Sequence, residues 1–144
     1  IYKKLSNMNN TKIYLAGGMQ SKWRNKVRTN VFLNRSTDNP HKIIFFDPSS
    51  HGLEPPNCYT TWDLHHIKNC DIFFGCMEKD NPSGIGLALE IGYAKALGKT
   101  IILVDETIAT KNEHFAKYYP IVRESADVVF ENLADGIDYL KSFI

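Results

Sequence analysis

Glu90 stands in the segment Ser83-Gly84-Ile85-Gly86-Leu87-Ala88-Leu89-Glu90-Ile91-Gly92-Tyr93-Ala94, where almost every neighbour is small or apolar. As a helix, this segment sets Glu90 on a face with Gly86, Leu87, Tyr93 and Ala94, with no Lys or Arg three or four residues away to pair with it. If that face turns inward, loss of water raises the carboxyl's pKa and readies it for covalent or acid–base work. If it turns outward, Glu90 is one acid on an exposed stripe. Gly84 and Gly86 leave the first turn bare beside Ser83. Either a ligand reaches the free N–H groups and positive dipole end there, or the helix packs closely on a sheet.

A second acid, Asp63, lies in Trp62-Asp63-Leu64-His65-His66-Ile67-Lys68-Asn69-Cys70-Asp71, a helix running into a strand with Leu64, Ile67 and Lys68 on its packed side. Trp62 and Asp63 together suit a pocket wall where an acid protonates a heterocycle under an indole; alternatively, Asp63 is a first-turn acid that favours the helix dipole. Asp71 reads as a turn or strand-edge residue. The run Tyr14-Leu15-Ala16-Gly17-Gly18-Met19-Gln20-Ser21-Lys22-Trp23-Arg24 is a strand, glycine turn and helix start. Gly17 and Gly18 let backbone amides approach a phosphate or ribose, and Ser21 is the expected N-cap. Lys22 and Arg24 could attract an anion, though basic residues in a first turn are usually just solvated, and Tyr14 either aims its hydroxyl at a buried carboxylate or packs in the core. The run is neither a dinucleotide-binding G-x-G-x-x-G nor a P-loop.

Five strand-like runs must position these groups: Lys12–Ala16, Lys42–Asp47, Asp71–Cys76, Thr100–Val104 and Asp127–Phe130. Helical patterns fall between and after them, at about Ser21–Arg35, Tyr59–Asn69, Gly84–Leu97, Asn112–Glu124 and Ala134–Phe143. Near-continuous apolar runs such as Ile43-Ile44-Phe45-Phe46 suit strands covered on both faces, so an α/β, doubly wound, five-stranded parallel sheet is expected. The proline-rich loop Pro48–Asn57 then falls at the carboxyl edge of the sheet, where ligands bind in such folds.

At 144 residues, with 43% hydrophobic and 23% charged residues, one folded domain over residues 8–144 is expected, with 1–7 as an N-terminal extension. A net charge of +1 argues against nucleic acid as a partner. Cys58, Cys70 and Cys76 form no C-x-x-C pair and read as small buried hydrophobes in a reducing cytoplasm. No apolar run is long enough to span a bilayer, and the polar opening segment does not read as a signal peptide, so no membrane association is expected. His65 and His66 point to different helix faces without a partner His four residues on, so no metal is expected, and no cofactor is implied.

The motifs Asp63-Leu64-x-x-Ile67-x-x-x-Asp71, Gly84-x-Gly86-x-x-x-Glu90-Ile91-Gly92-Tyr93-Ala94 and Gly98-Lys99, with Ala16-Gly17-Gly18 and Trp23-Arg24, resemble the nucleoside 2-deoxyribosyltransferase family, in particular its deoxyribosyltransferase-like branch. The resemblance implies a flavodoxin-like sheet and cleavage of the N-glycosidic bond of a 2′-deoxynucleoside, the sugar passing to another base. Glu90 matches the nucleophile, Asp63 the acid facing the base, and Tyr14 the tyrosine that orients the glutamate. Gly17, Gly18, Trp62, Ser83, Gly84 and Gly86 are the expected substrate-binding residues. The family also implies a homo-oligomer whose active sites are shared through residues after the fourth strand, where this chain offers Asn112, His114 and Tyr118.

The chain departs from the family where transferases carry an acid six residues before the nucleophile to hold the 5′-hydroxyl: Gly84 stands there, with Ser83 beside it and Asp80 farther off. Related hydrolases of deoxynucleoside 5′-monophosphates place small hydroxyl residues in this region. The small-molecule partner is therefore a nucleoside or a nucleotide. Nucleotide N-hydrolysis, a non-catalytic nucleotide-binding domain and NAD cleavage stand as alternatives to transfer.

Overall fold

The computed structural model describes residues 10–81 and 83–144; the expected extension, residues 1–7, lies outside the described residues. Five strands, β1 (Asn10–Gly17), β2 (Lys42–Phe46), β3 (Ile72–Met77), β4 (Thr100–Asp105) and β5 (Val128–Phe130), form one parallel sheet in the order β2-β1-β3-β4-β5. That is the doubly wound, flavodoxin-like order, and the chain reverses direction across the sheet between β1 and β3. Alternation along the central strands feeds two cores. Tyr14, Ala16, Phe73, Met77, Ile101 and Leu103 pack on one face against helices α2 (Pro56–Asn69) and α3 (Ile85–Ala96). Ile13, Leu15, Phe74, Cys76, Ile102 and Val104 pack on the other against α1 (Trp23–Phe32) and the last helix, α7 (Leu133–Lys141). Among the described residues, no helix is long and apolar enough to cross a membrane.

Several elements differ from expectation. β2 is an edge strand, so Lys42 and Ile44 are exposed where cover on both faces was expected. α2 begins three residues early because Pro56 sits at its first position, where a missing N–H is harmless. The helix expected over Asn112–Glu124 is two short ones, α5 (Glu113–Tyr118) and α6 (Pro120–Ser125), because Pro120 cannot continue the N–H ladder. A single turn, α4 (Thr107–Thr110), precedes them. Lys68 is exposed rather than packed, and Cys58 is exposed while Cys70 and Cys76 are buried. Asp71 closes the start of the β1–β3 pair, its carboxylate accepting from the Lys12 N–H at 2.8 Å while its own N–H donates to the Lys12 carbonyl.

The glycine turn after β1 is latched from α1. Arg24 is buried, not solvated: its guanidinium donates to the carbonyls of Leu15 (3.2 Å), Gly17 (2.9 Å) and Gly18 (2.8 Å), and lies 3.3 Å from Asp47 at the end of β2. The Trp23 indole N–H donates to the Gly18 carbonyl at 2.9 Å. Asp47 also pairs with Arg28 and accepts from the Ser49 N–H and hydroxyl, which together hold its pKa below the usual carboxylate value although burial pushes the other way. Ser21 caps nothing; Lys22 holds the N-cap position without a side-chain bond. Gly17 has φ +136°, and a Cβ there would sit 2.1 Å from the Cys76 carbonyl oxygen, so only glycine fits this close approach of β1 and β3.

Arg24→Met should therefore be costly, since it takes the side-chain donor from the Leu15 and Gly17 carbonyls and leaves Asp47 with Arg28 as its remaining cation. Urea unfolding is expected to show a loss of about 1–3 kcal/mol, as when buried acceptors lose a donor. A loss within experimental error would show that the latch carries no stability.

Candidate active site

Tyr14 points to the α2/α3 face of the sheet because β1 alternates, and its ring is stacked on Phe73 with centroids 5.8 Å apart. α3 buries Leu87, Ile91 and Ala94 against that face, which turns Glu90, one residue before Ile91, toward the rim of the sheet. There the Tyr14 hydroxyl donates to Glu90 Oε1 at 3.1 Å. Asp63 comes from the middle of α2, a helix with no acid in its first turn, so the dipole-favouring reading of this residue does not hold. Asp63 and Glu90 line one cavity of about 150 Å³ with Tyr59, Thr60, Leu64, Ile85, Gly86 and Leu89. On its other side, Asp63 also borders a wider cavity of about 440 Å³, reached by Met19, Ser49, His51, Leu53, Glu54 and Tyr59.

The charges in this crevice are poised. Burial first, and then the negative Asp63, push the Glu90 carboxyl up to about 7, while the Tyr14 hydrogen bond and Arg24 oppose the rise. Burial likewise raises Asp63, offset by the Tyr14 hydroxyl and by His51. Tyr14 itself is raised, chiefly by burial and then by the charge of Glu90, so it remains a hydroxyl and a donor. Its single proton is contested by two carboxylates, and the geometry gives it to Glu90. Two acids that resist joint ionisation are suited to divide the work, one as carboxylate and one as proton donor.

The glycines of α3 have separate duties. Gly84 adopts φ +65°, and a Cβ there would meet Met77 at 2.8 Å and the Tyr119 hydroxyl at 3.2 Å, so it serves the turn and the packing. A Cβ on Gly86 would meet nothing within 4 Å, so its missing side chain leaves open space in front of Glu90. The N–H groups of Ser83 and Gly84 donate to the Asn81 side chain at 3.1 and 3.0 Å. No side chain caps α3 and its first turn has no acid, so the Ile85, Gly86 and Leu87 amides have no intrahelical acceptor. Ser83 is exposed beside them.

Gly17 and Gly18 shape the turn that delivers Met19 to the wider cavity rather than lining it themselves. Trp62 also lines neither cavity: its indole packs against His51 (4.7 Å) and His66 (4.0 Å), and Tyr59 with Thr60, earlier on α2, forms the wall expected of it. His51 and Tyr59 are missing from the residues singled out by sequence, and Arg24 enters there as a solvated base and part of the Trp23-Arg24 motif rather than as a buried latch. Only the loop Pro48–Asn57 pointed toward His51. Among the described residues, no cluster of His, Cys, Asp and Glu side chains is arranged to hold a metal ion.

A carboxyl whose folded pKa is raised is favoured in its protonated form by the fold. Its contribution to stability is therefore full below its unfolded value and is lost as pH rises through about 7. Glu90→Gln, which keeps an acceptor for Tyr14 without the charge, is expected to melt higher than the wild type at pH 8, with the difference vanishing near pH 4. Equal melting temperatures at pH 8 would mean that Glu90 is not desolvated.

The family described as "Nucleoside 2-deoxyribosyltransferase like" matches residues 10–108. No curated protein sequence matches the chain significantly. Among solved structures, a 2-desoxiribosyltransferase from Leishmania mexicana superposes with a TM-score of 0.65 at 17% identity, covering 92% of this chain and 97% of that one. A CMP N-glycosidase of Clostridium botulinum superposes with a TM-score of 0.56 at 20% identity, covering 93% and 100%. These two likenesses speak for the fold, and the match over 10–108, spanning β1 through the start of α4 and both carboxylates, speaks for kinship: the chain belongs to the nucleoside 2-deoxyribosyltransferase-like family.

Proposed function

We propose that the chain cleaves the N-glycosidic bond of a 2′-deoxynucleoside and transfers the sugar to another nucleobase through a glutamyl-deoxyribose ester. The observation that carries this reading is the juxtaposition of Glu90, bonded by Tyr14, with Asp63 across one small cavity. In the first step a Glu90 oxygen bonds to the anomeric carbon, the C–N bond breaks with its electron pair going to the base, and Asp63 gives that base a proton. In the second, a nitrogen of the entering base attacks the same carbon, Glu90 leaves with the electrons of the ester bond, and Asp63 takes the proton back. Two moderate displacements thus replace one difficult one. Tyr14 steers the Glu90 lone pairs and, by donating to the carboxylate, keeps it available as a nucleophile. The wider cavity beside Asp63 supplies room for a base to leave and another to enter.

A second reading, N-hydrolysis of a deoxynucleoside 5′-monophosphate, is favoured by the start of α3. Gly84 stands where transferases carry an acid, and bare first-turn amides beside exposed Ser83 suit a phosphate. The solved CMP N-glycosidase supports the same alternative. The reading also includes a site shared between copies of the chain, since exposed Ile85, Leu89 and Tyr59 at the mouth of the Glu90 cavity offer an apolar seat for a second copy. Sedimentation as a monomer at working concentration would rule out the shared site.

Incubation with a deoxynucleoside and a second free base is expected to yield a new nucleoside, and acid-quenched protein to carry a deoxyribosyl adduct on Glu90. Free deoxyribose or its phosphate instead would assign hydrolysis, and binding without turnover would assign a nucleotide-binding domain. Glu90→Ala should lower turnover by at least about a thousandfold and Asp63→Asn by about 100- to 10,000-fold. Unchanged turnover in Glu90→Ala would overturn the mechanism.

A further inference from the structure

His51, on the loop between β2 and α2, faces the catalytic crevice with its proton already assigned. The Leu53 N–H donates to His51 Nδ1 at 2.9 Å, so Nδ1 carries the lone pair and the ring hydrogen belongs to Nε2. Nε2 lies 3.7 Å from Asp63 Oδ1. That oxygen is buried and makes no hydrogen bond. A carboxyl oxygen withdrawn from water without a donor is unfavourable, and the His51 N–H stands just beyond hydrogen-bond reach of it, with the Tyr14 hydroxyl as the other donor acting on this carboxyl. Around it the imidazole meets the edge of Trp62, with ring centroids 4.7 Å apart, and His51 and Asp63 line the same wider cavity.

We infer that His51 is a positioning residue for Asp63: its Nε2–H, aimed at Oδ1 from 3.7 Å in the free protein, holds the carboxyl plane and leaves the other oxygen for the base. The inference rests on Asp63 facing the base in the reaction proposed above. In that reaction, Asp63 becomes a carboxylate once its proton has gone to the departing base. A neutral N–H donor stabilises the charge formed at that moment without adding a positive charge to the ground state. The other titratable groups around the pair are Glu54 and Tyr59 at the cavity rim, Tyr14 on β1 and Glu90 on α3 beyond Asp63, with Arg24 acting on Asp63 at longer range and His66 across Trp62. Among these side chains, the hydroxyls of Tyr14 and Tyr59, Arg24, and the ring nitrogens of His51 and His66 carry donors. Of the imidazoles, His51 is the one whose Nε2 lies against Asp63.

The test uses the full chain with 13C-labelled aspartate carboxyls, the Asp63 resonance being identified by its loss in Asp63→Asn. His51→Phe keeps a ring against Trp62 but removes the donor, and His51→Gln returns an N–H near the position of Nε2. Losing a donor to the charged form raises a carboxyl's pKa, so the Asp63 titration midpoint is expected to move up by about one pH unit in His51→Phe. In His51→Gln it should return close to the wild-type value. With substrate, the same series should lower kcat about tenfold in His51→Phe, with partial rescue in His51→Gln and little change in KM. An Asp63 midpoint unmoved in His51→Phe, or one that His51→Gln does not restore, would overturn the inference whether or not the chain turns over. Wild-type protein that transfers or hydrolyses nothing would sink the functional reading instead, with the substrate-free titration still deciding the role of His51.

Discussion

The hydrogen bond from Tyr14 to Glu90 joins the first strand to the third helix where Glu90 and Asp63 line one small cavity. Its strength is modest, but its setting makes it consequential. Desolvation and the neighbouring Asp63 both resist charge on Glu90, and the Tyr14 donor opposes them. The balance leaves Glu90 near neutrality, where a carboxylate nucleophile and a protonated acid can coexist within one crevice. The fold tolerates this unfavourable burial because the middle of β1, Ile13 to Ala16, is fully covered and Phe73 stacks on the tyrosine ring. Such local conflict with stability is characteristic of functional sites.

The rest of the architecture serves to keep that rim open and rigid. The crossover direction changes between β1 and β3, so the loops after these two strands part and expose the carboxyl edge. Each loop is then anchored by polar contacts. Arg24 and Trp23 gather the carbonyls of the glycine turn, and Asp47 ties that latch to the end of β2, from which the His51 loop departs. Asn81 does the same for the start of α3. A polar side chain at each corner replaces hydrogen bonds that the turning backbone cannot make with itself.

Membership of the family and chemistry of the individual chain separate at Gly84. The left-handed turn, with Met77 and Tyr119 pressed against it, leaves no room for the acid that transferases use for the 5′-hydroxyl. The same change leaves the amides of α3 uncapped. Under the proposed function, the 5′ end of the sugar would meet helix amides rather than a carboxylate, a difference that favours negative charge over a neutral hydroxyl.

Much of the fold was legible because burial on both faces of a central strand writes itself as a continuous apolar run, as in Ile101-Ile102-Leu103-Val104, and because strands and helices alternate at different periods. Edge strands obey the same composition without the same cover, which is why Ile44 was misjudged. Glu90 stood out because a lone acid among small and apolar residues is chemically anomalous wherever it folds. Arg24 and His51 did not, since a basic residue in a first turn or a histidine in a proline-rich loop is ordinary until its partners are known. By itself, the sequence determined the layered parallel sheet, the two acids and the tyrosine, because periodicity and residue type are local properties. The tertiary structure settled which of the two readings of Tyr14 holds, by setting its hydroxyl on Glu90 across 76 residues, and it alone decided that Arg24 is a buried latch and that His51 Nε2 lies 3.7 Å from Asp63. Those are contacts between distant segments, and no local pattern encodes which of them the packed sheet will bring within a few ångströms.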